Sequence, residues 1–481
     1  MLVILSTIIY LSIPVLAAAF TFRYFFEVKE VDQWAKCWLI LIVVAGVLAN
    51  IWFVYIAIIL IGILAIPDDD ESRVFFYLAL LFALPKLAYV IPFPGIDGIL
   101  KMTYPMFLGL VLLTPVYARL RERKESLSVI DKFVLAFIVL STILDFRDHT
   151  AITQTVRLVI VNFITYWLPY RVISHTKLSL EKSLLAMGMM GVALSMESIV
   201  EWGVVWKTYA SLANNIDGIH LARLQYAYYF RGLGLRVSSS WLTPITFGMY
   251  LAVACFIMLN VRKIGLKQNM MAYVLAALIF TAMLFTDSRG AQLTLMLAFL
   301  SSLYFYKSSQ GWKTACKVIA VIAVIAVSLN IQAVINLDSS GSFQYRADLL
   351  TYSGDAFWRA PLLGNPNFWS NPVLVANMTQ GQGIVDIVNH YLHVALRYGS
   401  VGLFIYMAIW WTAISGVSKR VSELRAINDA RYMAGSVLFS VIIGLAVVIF
   451  TVSLVGYLEE LIFIFFALSS AYLKNTADAK K

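Results

Sequence analysis

Charged residues are scarce in this chain, at 13% of its 481 residues, whereas 61% are hydrophobic. Soluble globular proteins carry about 25% charged residues, because a core needs a charged surface to stay in solution. The apolar residues here come in blocks of roughly 18–25, the length that crosses a hydrocarbon layer of about 30 Å. The composition excludes an ordinary soluble domain and predicts an all-α polytopic membrane protein.

Cysteine is also rare, and the three residues Cys37, Cys255 and Cys316 lie far apart in or beside apolar segments. Neither a metal site nor a structural disulfide is expected from that spacing. The net charge of +10 could indicate nucleic-acid binding, but no basic face is interleaved with stacking aromatic side chains. Basic loops on the cytoplasmic side explain the charge better. We expect no nucleic-acid partner.

Apolar segments predict about 14 membrane spans, with a range of 12 to 14. They fall near 2–20, 37–66, 74–92, 104–118, 130–146, 151–170, 181–203, 238–260, 270–286, 290–306, 314–335, 400–417, 434–452 and 454–473. The second run is interrupted at Asn50, so it is either one tilted helix or two short half-spans. The first run lacks the basic start and cleavage site of a signal peptide, and we interpret it as a retained helix.

Lys and Arg gather in every second loop over ten consecutive spans, from residues 119–124 to the C-terminal tail. The positive-inside rule places these loops in the cytoplasm of a bacterial inner membrane. At the front of the chain, the acidic patch 68–71 would then be cytoplasmic. The basic residues Arg23, Lys29 and Lys36 would lie outside.

This topology divides the chain into five parts. They are N-terminal transmembrane helices (1–203), a periplasmic loop (204–237), central transmembrane helices (238–335), a large periplasmic loop (336–399), and C-terminal transmembrane helices with a cytoplasmic tail (400–481). Loops as long as the second one are usually either functional or disordered. This loop is rich in aromatic residues, Gly and Pro, and we expect it to be ordered.

Several arginines fall on the outer face, where the positive-inside rule depletes basic residues. They are Arg223, Arg231 and Arg236 in the first loop, Arg289 between two closely spaced spans, and Arg346 and Arg359 in the large loop. The planar guanidinium suits phosphate, because it makes paired, charge-assisted hydrogen bonds. The alternative is that each arginine pairs with a nearby Asp or a lipid headgroup. Arg289 is the strongest candidate for an anion-binding residue.

Asp386, His390 and His393 lie just before the span that begins near residue 400. If this stretch is helical, Asp386 and His390 share a face, and the carboxylate could orient the imidazole as a general base. The alternative is an interfacial helix whose histidines meet only water and headgroups. Glu197 and Glu201, four apart in a span, are weaker candidates, because intramembrane carboxylates are often functional.

Three motifs in the second half of the chain resemble the O-antigen ligase and Wzy-type O-antigen polymerase family. Thr286-Asp287-Ser288-Arg289-Gly290-Ala291 is similar to the family's Ser-Arg-Gly-Ala motif, and Trp358-Arg359-Ala360-Pro361-Leu362-Leu363-Gly364 to its Pro-Leu-Leu-Gly motif. Asn389-His390-Tyr391-Leu392, followed by Gly399 and Gly402, is similar to its His-Asn-x-Tyr-Leu ending. The resemblance covers roughly residues 220–475. One departure is that Val388 stands where ligases usually have histidine, and this favours a polymerase.

The resemblance implies a GT-C-like glycosyltransferase that acts at the periplasmic face. The donor would be a glycan on undecaprenyl pyrophosphate, and the acceptor another glycan or the lipid-A core. Arginines would stabilise the pyrophosphate leaving group. The main candidates are Arg289 and either Arg231 or Arg236, and Arg346 and Arg359 are further candidates. His390 or Asp386 would deprotonate the acceptor hydroxyl. Because arginines can neutralise the leaving group, no metal or other cofactor is expected.

Two other functions remain open at the level of sequence. A lipid-linked-sugar transporter or flippase would also need cationic groups for a pyrophosphate, but they should line a central cavity from both sides. The candidates here cluster on the outer face, which favours an enzyme. Ligase and polymerase differ only in the acceptor, and the sequence does not separate them.

Overall fold

The computed structural model describes residues 2–48, 51–93, 96–122, 126–148, 152–214, 228–231, 234–241, 243–267, 269–305, 309, 311–319, 342–379, 383 and 385–477. Most of these residues are helical. The helices are α1 (Leu2–Phe26), α2 (Val31–Leu48), α3 (Ile51–Leu60), α4 (Asp70–Leu80), α5 (Tyr104–Glu122), α6 (Val129–Asp145), α7 (Ile152–Asn162), α8 (Leu168–His175), α9 (Leu180–Val204), α10 (Thr208–Asn214), α11 (Pro244–Leu259), α12 (Met270–Phe285), α13 (Arg289–Ser302), α14 (Ser342–Arg359), α15 (Pro372–Met378), α16 (His390–Ala426), α17 (Arg431–Val448) and α18 (Leu458–Asn475). Residues 311–319 are also helical. The described part also has two short antiparallel hairpins, β1 (Ala88–Phe93) with β2 (Ile96–Thr103), and β3 (Phe230–Arg231) with β4 (Gly234–Leu235).

Within the described residues, five helices are long and apolar enough to cross a membrane by length and composition. They are Val3–Phe26, Val156–His175, Leu180–Val204, His390–Ala426 and Arg431–Val448. The second of them joins α7 to α8 through a π-helical turn. Shorter apolar helices span Trp52–Ala65, Pro244–Leu259 and Met270–Phe285. The predicted all-α polytopic membrane fold is confirmed.

Of the two alternatives left open for the run 37–66, the structure has two helices that pack together, α2 and α3. Two other predicted spans differ in the structure. The predicted span 74–92 is helical only to Leu80, because Pro85 cannot continue a helix and the chain turns into β1. The span predicted at 400–417 extends to both sides as α16. Most of the predicted span 314–335 lies outside the described residues.

The basic loops gather at one end of the helix bundle, which we call the basic end. Arg119 binds Asp70 there through its Nε at 2.7 Å, so the acidic patch lies beside the basic loop as expected. The link between α1 and α2 also lies at this end, since Glu30 contacts Lys182 at 3.5 Å and Glu27 contacts Lys267 at 3.7 Å. The prediction that Arg23, Lys29 and Lys36 lie on the face opposite the basic loops was therefore wrong.

Apolar side chains from most of the helices merge into one large buried cluster. Two tryptophans of α2 join this helix to α4 by donating hydrogen bonds to backbone carbonyls that have no partner within the helix. Trp34 Nε1 donates to Ala79 O at 2.8 Å, and Trp38 Nε1 donates to Ala83 O at 3.0 Å, where α4 ends. Such bonds matter in a membrane protein, because lipid offers no water to satisfy an open carbonyl.

Asp131 ties three helices together near the basic end. Its side chain is fully buried in α6 and accepts hydrogen bonds from Tyr170 on α8 and from Ser470 and Lys474 on α18, each at 2.7 Å. Its second role is local, because it forms a capping box with Ser128 at the start of α6. A buried carboxylate with this many donors is stable only as long as all of them remain in place.

We predict that Asp131→Asn lowers the free energy of unfolding by about 3 kcal/mol, because it leaves the Lys474 ammonium without its buried counter-charge. The measurement is the thermal unfolding midpoint of the full chain in detergent. Asp68→Asn is the matched control, since Asp68 is 73% exposed and its ion pairs are worth about 1 kcal/mol or less. Equal destabilisation by the two variants would contradict this role for Asp131.

Candidate active site

Arg289 is the first residue of α13, at the turn that joins α12 to α13. The turn is tight: Asp287 has a positive φ of 45°, and the Ser288 hydroxyl caps the helix by accepting from Ala291 N. Gly290 allows close packing, because a Cβ there would lie 3.0 Å from Met249. The Arg289 side chain is exposed at a helix N-terminus, where amide groups and the helix dipole favour anions.

Arg236 holds this turn from the loop that precedes α11. Its Nε donates to Thr286 O at 2.9 Å and its Nη2 to Asp287 O at 3.4 Å, so the guanidinium binds the backbone just before Arg289. Burial, together with the nearby charge of Arg231, lowers the pKa of the Arg236 guanidinium. Arg236 is thus a buried support of the turn, whereas Arg231 is exposed on the adjoining hairpin. Arg223 lies outside the described residues.

Glu201 in turn supports the segment that carries Arg236. Its carboxylate accepts from Ser239 N at 2.9 Å and Ser238 N at 3.5 Å, just after Arg236. Ser239 has a positive φ of 47°, a strained conformation that these bonds stabilise. Lys207 donates to the Ser238 hydroxyl at 2.9 Å, and burial lowers the pKa of its ammonium. The intramembrane carboxylate singled out in the sequence therefore contacts the segment that carries Arg236.

The segment that follows α17, residues 449–453, brings the other candidates together. Ile449 O accepts from His390 N at 2.9 Å, and Thr451 O accepts from Arg346 Nη2 at 3.1 Å. The Ser453 hydroxyl donates to the Asp386 carboxylate at 3.1 Å.

The same segment also lies against the Arg289 turn. A Cβ on Gly290 would lie 3.6 Å from Val452 and 3.5 Å from Val448, the last residue of α17. Arg289, Arg346, Asp386 and His390 therefore surround one short segment. We call the end of the bundle that carries them the site end.

Asp386 and His390 do not share a helix. The predicted pairing depended on this stretch being helical, and it is not. The helix begins at His390, with the Asn389 side chain as its cap, and residues 386–389 are not helical. Asp386 is instead fixed by Ser453 and, through its carbonyl, by the Tyr345 hydroxyl at 2.9 Å. Helical spacing therefore does not couple the two groups.

His390 lies at the start of α16 with its ring against two other rings. The ring centroid is 5.2 Å from that of Tyr406 and 5.9 Å from that of His393. His393 packs in turn against Phe368 and Trp369 of the large loop. These aromatic contacts fix the orientation of the imidazole, which a positioned proton acceptor requires.

Arg359 has a different environment from the other arginines. Its Nε binds the Asp355 carboxylate at 2.8 Å, one turn earlier on α14, and the guanidinium is largely exposed. Asn371 donates to the same carboxylate, and these hydrogen bonds lower the pKa of Asp355. This is the alternative considered for each arginine, a pairing with a nearby Asp.

The described part of the large loop contains two helices, α14 and α15. These helices enclose a small apolar cluster of their own, separate from the main one. Members include Leu349, Phe368 and Leu374, and Val388 packs against it. Val388, which replaces the histidine usual in ligases, thus contributes to packing.

The Pro-Leu-Leu-Gly motif fits into a break in α16 at Gly399. Pro361 O accepts from Ser400 N at 2.8 Å and Leu362 O from Val401 N at 3.2 Å. Gly399 has a positive φ of 70°, and a Cβ there would lie 2.2 Å from Leu362 O. Two of the three motifs therefore form one packed unit, and their glycines are required by the close approach of two backbones.

Arg147, which lies outside the three motifs and was not among the predicted site residues, holds this unit from the end of α6. It donates to Gly364 O at 3.0 Å and Leu363 O at 2.9 Å. Beside it, Arg397 binds Asp145 at 2.8 Å. The sequence does contain a signal for Arg147, because this arginine follows the predicted span 130–146 on the face where the positive-inside rule depletes arginines.

The fold and the site define a multi-span membrane protein with a folded extramembrane segment and an arginine-rich site at one end of its helix bundle. Residues 274–407 match the protein family described as O-antigen ligase. The match contains all three motifs, so the family resemblance is confirmed for this part of the chain. Members of this family are glycosyltransferase-like enzymes, ligases and polymerases. No curated protein matches the chain.

We predict that Gly399→Ala displaces the Pro361–Gly364 turn, because the new methyl group would overlap the Leu362 carbonyl. Thermal unfolding should show a loss of about 2 kcal/mol or more. Gly354→Ala on α14 is the matched control: no atom lies within 4 Å of its added Cβ, and alanine favours a helix. If Gly399→Ala is as stable as this control, the close approach at the helix break does not matter.

Proposed function

We propose that this protein is a polysaccharide polymerase of the Wzy type. It would transfer a glycan from undecaprenyl pyrophosphate to the hydroxyl group of an acceptor glycan, at the periplasmic face of the bacterial inner membrane. The observation that carries the proposal is the arrangement of Arg289, Arg346, Asp386 and His390 around residues 448–453. It combines anion-binding groups with two possible proton acceptors.

The arginines suit a pyrophosphate leaving group. Arg289 is exposed at the N-terminus of α13, and Arg236 fixes the turn that presents it. Arg231 adds a further exposed charge near Arg236. Cationic groups that are already in place stabilise negative charge as it develops, without the cost of reorganising solvent.

His390 is the proposed base for the acceptor hydroxyl. Its ring is oriented by Tyr406 and His393, as a positioned proton acceptor requires. Asp386 is the alternative base, because its carboxylate is held nearby by Ser453. The two assignments differ in which substitution stops the reaction.

An O-antigen ligase is the second candidate function, favoured by the description of the matching family. The donor chemistry would be the same, and the acceptor would be the lipid-A core. The departure at Val388 from the histidine usual in ligases supports the polymerase instead. The acceptor used in an assay separates the two.

We predict that Arg289→Ala lowers transfer by about 100-fold or more, because it removes a cation from the developing pyrophosphate charge. Arg289→Lys should restore little, since a lysine cannot make the paired hydrogen bonds of a guanidinium. The assay uses purified protein, a synthetic undecaprenyl-pyrophosphate-linked repeat unit and gel analysis of products. A ladder of multiples identifies a polymerase, and single transfer that requires lipid-A core identifies a ligase.

Arg262→Ala is the control for this assay, since Arg262 is an exposed arginine of the basic end. It should leave the product ladder unchanged. Full activity of Arg289→Ala would remove Arg289 from the site. No product with either acceptor from the unaltered protein would refute the proposed function.

His390→Ala should lower the initial rate by about 100-fold or more, the usual contribution of a positioned base. Asp386→Asn should have a smaller effect, because the amide oxygen can still accept the hydrogen bond from Ser453. Initial rates at saturating donor, with the thermal unfolding midpoint of each variant, make the comparison. The reverse order of effects would assign the base to Asp386.

A further inference from the structure

Three large apolar side chains of the large loop are exposed at the site end. Trp358, at the end of α14, is 75% exposed, and Leu362 and Leu363 in the following turn are 67% and 47% exposed. Single exposed apolar residues are ordinary, but a patch of three within six residues indicates a binding surface. We call Trp358, Leu362 and Leu363 the loop patch.

The loop patch is continuous with an exposed apolar face of α16. Leu362 O is bound to Val401 N, the first member of this face. The face continues along the helix at spacings of three and four residues, through Val401, Phe404, Met407 and Trp411, all of them exposed. That period places them on one side of the helix. In a helix apolar enough to span the membrane, an exposed apolar side meets lipid.

A second helix leads to the same place. Ile143 near the end of α6 is 54% exposed, and one turn later Arg147 binds the carbonyl of Leu363. Helices α6 and α16 pack side by side. The loop patch therefore lies across the outer ends of two neighbouring helices whose exposed faces are apolar.

We infer that the loop patch inserts into the lipid bilayer at the site end, with Trp358 at the interface and Leu362 and Leu363 among the upper acyl chains. Tryptophan favours the membrane–water interface, because its ring is apolar and its N–H can meet water or headgroups. The large loop is thereby seated on the bilayer rather than held above it. This inference does not rest on the proposed function, and it concerns lipid as the partner of a surface.

The test measures the depth of fluorescent probes in nanodiscs. In the full chain with Cys37, Cys255 and Cys316 replaced by serine, Trp358→Cys and Leu362→Cys are labelled with an environment-sensitive nitrobenzoxadiazole probe. Asn377→Cys is the control, an exposed polar position of the same loop on α15. Quenching is compared between lipids spin-labelled near the headgroup and iodide in solution.

Both patch positions should be quenched by the spin-labelled lipid about twofold or more strongly than position 377, and less strongly by iodide. Labelled proteins must keep the thermal unfolding midpoint of the unlabelled chain, and the two patch positions check each other. Failure of either position to exceed the control in lipid quenching overturns the inference. The result is independent of glycan transfer, so it stands or falls separately from the proposed function.

Discussion

The backbone carbonyls that follow α17 are the contacts on which the candidate site depends. A helix end leaves carbonyls without partners, and a membrane-embedded bundle must satisfy them from within. Here Ile449 O accepts a hydrogen bond from the first amide of α16, and Thr451 O accepts one from the guanidinium of Arg346. A general requirement of helix ends thus sets the positions of a histidine and an arginine from two different parts of the chain.

The arginines of the site end divide into supports and exposed charges. Arg236 and Arg147 donate hydrogen bonds to backbone carbonyls, and each of them fixes a turn that belongs to a family motif. Arg289 and Arg231 remain exposed beside them. The positive-inside rule identifies arginines in unusual places, but it does not tell which of them are buried and which are exposed.

Much of the fold followed from composition and apolar run length, and the motif order indicated the family. The site was harder to predict, because its organising segment 449–453 carries no charge and falls at the junction of two predicted spans. The period of a helix suggested that Asp386 and His390 share a face, but Asn389 caps α16 and starts it one residue later. Likewise, Pro85 ended a predicted span that hydrophobicity alone had extended.

The interlocked glycines at the break in α16 also bear on how the large loop is positioned. Arg147 binds a carbonyl 217 positions further along the chain, and Gly364 fits only against a helix that has already been broken at Gly399. The position of the large loop therefore depends on two helices that are far apart in the sequence. The loop can keep this position only while α6 and α16 are packed together.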